Sequence, residues 1–103
     1  MEIMFQSHHA EVSDHMRLRA QRGIEKVARR LSRAVDAIVR FEGDGPLRRV
    51  EIVLHAPRSR KLVAAGEGRF FGTALAVALS RMEARTGRVK RAAKERARRI
   101  GRG

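Results

Sequence analysis

Residues 2–31, "EIMFQSHHAEVSDHMRLRAQRGIEKVARRL", change their period part-way along, and that change decides the fold class. Ile3 and Phe5 share one face at period two, which predicts a first strand. "VSDH" then reads as a helix start. The Ser13 hydroxyl is placed to accept from an open backbone N–H, and Asp14 complements the positive end of the helix dipole. The capping box is incomplete, because Met16 stands where Glu or Gln is expected. From Asp14 to Arg33 the period is helical: at 100° per residue Met16, Ala20, Ile24, Val27, Ala28 and Leu31 gather on one side. Arg19, Arg22, Lys26, Arg29, Arg30 and Arg33 gather on the other. Gly23 weakens this helix by roughly 1 kcal/mol relative to Ala, too little to cancel the pattern.

Downstream, Val35, Ala37, Val39 and Phe41 alternate into a second strand that ends at "GDGP". Val50, Ile52 and Leu54 alternate in a third, "APRSR" turns the chain, and "KLVAAGEG" makes a shorter fourth. A second helix starts near Gly72, with Leu75, Ala78, Leu79, Met82, Thr86, Val89, Ala93, Ala97 and Ile100 on one side. Beside that stripe run Arg81, Arg85 and Arg88 at i, i+4 and i+7. A small sheet is too short to cover this whole stripe, so residues 1–90 are read as the α+β domain. Residues 91–103 are read as a basic tail, either a helical extension or disordered. Phe70 and Phe71, between the fourth strand and this helix, either cap the core or sit exposed at a contact, and the core is the expected use. The order β-α-β-β-β-α predicts a two-layer α+β domain, a four-stranded sheet with both helices on one face and a right-handed first crossover.

The 103 residues allow one domain with a modest core. With no cysteine, disulfides and thiolate metal sites are excluded. No apolar run is long enough for a membrane span, and "MEIMFQS" lacks the pattern of a signal peptide, so a cytoplasmic location is expected. The dominant feature is charge: 24 Lys and Arg against 11 Asp and Glu, a net +13. Residues 85–103 alone carry nine bases and one acid, Glu95. Such a field favours a polyanion, with nucleic acid ahead of an anionic membrane. With no Trp or Tyr and only four Phe, a base-stacking platform is not expected; phosphate contacts to a folded RNA suit the composition better.

One cluster offers a rival reading. "HHAEVSDH", residues 8–15, holds His8, His9, Glu11, Asp14 and His15, which raises a metal-dependent enzyme as an alternative. Successive strand residues point to opposite faces, so His8 and His9 do not readily share one ion, and no known ligand spacing is present. No Ser or Cys nucleophile and no paired carboxylates accompany it. The stretch reads instead as a polar strand-to-helix loop, and no catalytic, metal or cofactor site is expected.

Taken together, "HHAEVSDHMR", "LHAP", "LVAAGEG" and the Arg-rich helix that follows resemble the ribosome hibernation-promoting factors. This family includes ribosome-associated inhibitor A and protein Y, also called sigma-54 modulation proteins, and the likeness runs from Met1 to about Lys90. The resemblance implies a β-α-β-β-β-α fold similar to double-stranded RNA-binding domains. It implies binding to the small ribosomal subunit and its rRNA between head and body, where messenger and transfer RNA would lie. Translation is then inhibited by occlusion, with no bond made or broken, no cofactor, no small-molecule substrate and no membrane; the chain is expected to act as a monomer. The family's basic positions on the second helix fall on Arg81, Arg88 and Lys90; Arg85 and Arg91 extend that surface, and Arg22, Lys26 and Arg29 add the outer face of the first helix. After Glu67-Gly68 the family has an acid, then Met-Tyr; here "RFFGTALA" lacks both the acid and the tyrosine. Long members carry a C-terminal domain that dimerises ribosomes, so a chain of this length is expected to be of the short type. Its basic tail is expected to add an rRNA anchor. The remaining alternative is a general binder of structured RNA or DNA with the same fold.

Overall fold

A computed structural model describes residues 1–31, 36–56 and 61–101. The elements are β1 (Glu2–His8), α1 (Asp14–Ala28), β2 (Asp36–Asp44), β3 (Leu47–His55), β4 (Leu62–Gly68) and α2 (Phe71–Gly101). The sheet order is β1-β2-β3-β4, with β1 parallel to β2 and the other pairings antiparallel. This is the two-layer α+β architecture with both helices on one face. Strand alternation sets which residues meet them: Ala37, Val39 and Phe41 of β2, with Val50, Ile52 and Leu54 of β3, are buried beneath Ile24, Val27, Leu75, Ala78 and Met82.

Two glycines and one turn fix the layers. At Gly66 a Cβ would sit 2.2 Å from the Ala74 carbonyl oxygen and 2.7 Å from the Ala78 nitrogen, so α2 rests directly on the β4 backbone. At Gly23 a Cβ would meet Leu79 Cδ1 at 2.5 Å. The glycine that weakens α1 locally therefore lets it lie close to α2. The β2–β3 hairpin closes through Gly45 and Pro46, with Gly45 at φ 57, a left-handed conformation suited to a two-residue turn.

The structure differs from the sequence expectations in three places. The first helix stops at Ala28, not Arg33: Arg30 and Leu31 bond back to Val27 and Ala28, tightening the last turn. Leu31 still packs on the core. The second strand runs through Gly43 to Asp44 and does not stop before the glycine. Of the two adjacent rings only Phe71 joins the core, edge-on to Phe41 at 5.3 Å and with the Arg48 guanidinium 5.7 Å from its centroid. Phe70 is 71% exposed, since one residue along the chain points the other way. The expected roles of Arg33, Val35, residues 57–60 of the "APRSR" turn and Arg102 lie outside the described residues.

Beyond the sheet, α2 continues as one 31-residue helix. Thr86 is its last fully buried side chain among the described residues; its hydroxyl donates to the Glu83 carbonyl at 2.9 Å. Lys90, Arg91, Lys94 and the described side chains that follow are exposed, and the molecule measures 56 × 22 × 18 Å. No described helix is long and apolar enough to cross a membrane.

Candidate nucleic-acid interface

The histidine loop sets α1's direction. Ser13, in extended conformation, accepts a hydrogen bond from the Met16 N–H at 3.1 Å, and Asp14 pairs with Arg17 at 2.7 Å. The rings of His8 and His9 lie 4.1 Å apart, and His9 has φ 51 where its carbonyl packs over Gly43. Among the described residues no three His, Asp or Glu side chains converge in a way that could hold a metal ion.

From that start, α1 turns Arg22 and Lys26 to solvent, and Arg29 follows at its C-cap, also exposed. On α2, Arg81, Arg85 and Arg88 line a groove of about 420 Å³ against Val63, Ala64 and Ala65 of the edge strand β4. Arg81 Nη1 donates to the Ala65 carbonyl oxygen at 2.7 Å, so part of this guanidinium is committed to the sheet edge. Lys90 and Arg91 follow on other faces of the same helix, both exposed. None of these eight side chains makes an ion pair among the described residues.

The two basic stripes do not form one strip. Arg81, Arg85 and Arg88 lie on the β4 flank of α2, away from α1. Between the helices runs a second groove of about 390 Å³, lined by Arg19, Lys26 and Arg30 together with Leu79 and Glu83, where Glu83 pairs with Arg30. Arg19 and Arg30 belong to the basic side of α1, but only the packing partner reveals that the 19, 26, 30 row faces α2. Spacing alone could not have separated them from Arg22 and Arg29.

The opposite face of the sheet has the reverse character. Its outward positions in the strands carry Glu2, Asp36, Glu42, Asp44, Glu51 and Glu67 against Arg40 and Arg49, a net −4 with the histidines neutral. The bases there are paired: Arg40 with Glu51 at 3.3 Å, and Arg49 with Glu42, Glu51 and Glu67 within 3.8 Å. His55 Nδ1 stands 2.8 Å from Asp36 Oδ1, a hydrogen bond whenever that nitrogen carries a proton. Helices α1 and α2 together carry thirteen Lys and Arg against four acids, a net +9. The helix layer is therefore positive and the sheet behind it mildly negative, an arrangement that can neutralise phosphates on one side only.

The fold matches those of solved proteins. A ribosomal subunit interface protein from Coxiella burnetii superposes with a TM-score of 0.80 at 13% identity, covering 87% of this chain and 98% of that one. The N-terminal domain of Protein Y from Thermus thermophilus superposes with a TM-score of 0.76 at 21% identity, covering 86% and 99%. No curated protein sequence matches the chain. The model of the family described as sigma 54 modulation protein / S30EA ribosomal protein matches residues 3–94, nearly the whole described fold, and to that family this chain belongs.

Proposed function

We propose that this protein is a non-enzymatic ribosome hibernation factor. It binds the small ribosomal subunit at the decoding region, where messenger and transfer RNA pass, and blocks translation by occupying that space. The observation that carries the reading is the one-sided charge: eight exposed bases without ion pairs among the described residues, on a helix layer of net +9, in a chain of this family. The names of the two similar structures, a subunit interface protein and Protein Y, support the same partner.

The mechanism is charge neutralisation followed by steric exclusion. Arg22, Lys26, Arg29, Arg81, Arg85, Arg88, Lys90 and Arg91 are the side chains that meet rRNA phosphates, each releasing a condensed counterion. Such contacts position the domain without reading base sequence. Arg81 does so with the guanidinium nitrogens left after its bond to Ala65. The sheet face then points away from the rRNA, because its six acids would oppose phosphate.

Sedimentation of a stationary-phase lysate through a sucrose gradient tests the reading. The protein is expected in small-subunit and whole-ribosome fractions at low salt, leaving them as salt rises. Addition of the purified protein to a cell-free translation reaction is expected to stop synthesis, and pre-bound messenger and transfer RNA are expected to compete. A protein that stays at the top of the gradient yet binds structured RNA would instead be a general RNA binder.

A further inference from the structure

We infer that Phe70 is a base-stacking contact: its ring, with Arg19 and Arg69 beside it, takes up one unpaired nucleobase and its phosphate. The inference rests on the RNA-binding reading above and adds a contact that charge alone does not supply. At 71% exposed, Phe70 is more open than any other described large apolar side chain. It is also the one exposed phenylalanine, since Phe41 is buried and Phe5 and Phe71 pack against the core.

The fold gives this ring no structural use. Phe71 already fills the core position beside Phe41. The Phe70 carbonyl accepts the first bond of α2, from Ala74 N–H at 3.1 Å, so Phe70 sits where Ser, Thr, Asp or Asn would close an open N–H with its side chain. A large apolar residue that neither packs nor caps breaks a local rule without a structural return, which is how residues kept for binding stand out.

The surroundings specify the ligand. Arg19 Nη1 lies 2.9 Å from where a Gly72 Cβ would be, against the backbone two residues from Phe70. Arg69 precedes the ring and is exposed; neither arginine makes an ion pair among the described residues. The first turn of α2 carries no acid. An open ring next to Arg69 in the chain, with Arg19 against the backbone two residues on, matches a base with its phosphate, and the base is an unstacked one because bases inside a duplex have both faces covered. One ring gives one contact, which agrees with the lack of Trp and Tyr for a longer platform.

That same lack makes the test clean. In the full chain Phe70→Trp places a single indole in a protein with no other Trp or Tyr. Titration with purified small ribosomal subunits, after subtraction of the same titration with the native chain to remove the subunits' own emission, is expected to quench the indole while binding stays as tight as with Phe. Phe70→Leu, apolar but without a π-face, is expected to bind about tenfold more weakly, within the range of one base–aromatic stack. Unquenched emission from a bound Trp variant, or native affinity in the Leu variant, overturns the inference and leaves the ribosome reading standing. If the native chain binds no subunits, the ribosome reading falls; a short oligoadenylate then decides stacking by the same quenching, whose absence overturns it.

Discussion

On the outward face of the sheet both strand arginines, Arg40 and Arg49, are paired with acids, while on the helix layer most bases are unpaired among the described residues. The difference lies in periodicity. Strand register sets Arg40 directly opposite Glu51, and Arg49 between Glu42 and Glu67, so pairing across the ladder brings opposite charges together. Along α2 the i, i+4, i+7 spacing aligns Arg81, Arg85 and Arg88, which repel one another. A guanidinium of the sheet face is thus held in ion pairs, whereas those of Arg85 and Arg88 make none among the described residues and are, in the proposed function, left for phosphate. A polyanion that neutralises the helix layer should also stabilise the folded protein, since it binds only the fold that gathers these charges.

The contrast requires the two layers to be seated on one another. Gly66→Ala should lower unfolding free energy by about 3 kcal/mol or more, because the added methyl meets α2 backbone that cannot step aside. Chemical denaturation measures it; an unchanged midpoint would refute the close seat of α2 on β4.

The charge contrast itself is tested by matched substitutions. Changing Arg81, Arg85 and Arg88 together to Gln should weaken small-subunit binding by about 100-fold and reduce the log–log salt slope by about three. Gln keeps helix propensity close to that of Arg. Changing Arg40 and Arg49 to Gln should leave binding within about twofold, as neither faces the phosphates in the proposed orientation. Equal losses from both sets would erase the distinction between the layers.

A subtler test separates folding from binding at one position. Phe70→Ser should raise stability by about 1 kcal/mol through the helix cap it creates, while weakening RNA binding. A loss of stability in thermal melts would show that the exposed ring packs after all. The smallest effect is expected at Glu51, which bridges Arg40 and Arg49: Glu51→Gln should destabilise by about 0.5 kcal/mol in urea, diminishing as salt is added.

Much of the fold could be read along the chain. Val39 and Phe41, Ile52 and Leu54 alternate as their burial requires, and Ser13 caps the helix it was expected to cap. Local spacing carries such information because it depends only on strand and helix periods. What could not be read depends on neighbours distant in sequence. Which of Phe70 and Phe71 enters the core is decided by the room beside Phe41 and by Arg48. The helix end at Ala28 and the turn of Arg19 and Arg30 toward α2 are likewise set by packing. The candidate interface was legible as a set of basic residues, but not as two grooves on either side of α2. The acidity of the outward sheet face follows from strand parity, whereas the pairing of Arg49 with Glu42, Glu51 and Glu67 needs two registers, that of β2 with β3 and that of β3 with β4.

The overhang of α2 bears on how quickly the protein finds a partner as well as how tightly it holds one. From Arg88 to Gly101 the helix extends about 20 Å at its ordinary rise. At physiological ionic strength a charge is screened beyond about 8 Å, so a compact domain is nearly blind to a polyanion at twice that distance. A rod carrying Lys90, Arg91, Lys94, Arg96, Arg98 and Arg99 spreads its charge outward from Arg88 to about two screening lengths at Arg99. It enlarges the capture radius of the encounter, and its leverage rotates the domain as it approaches.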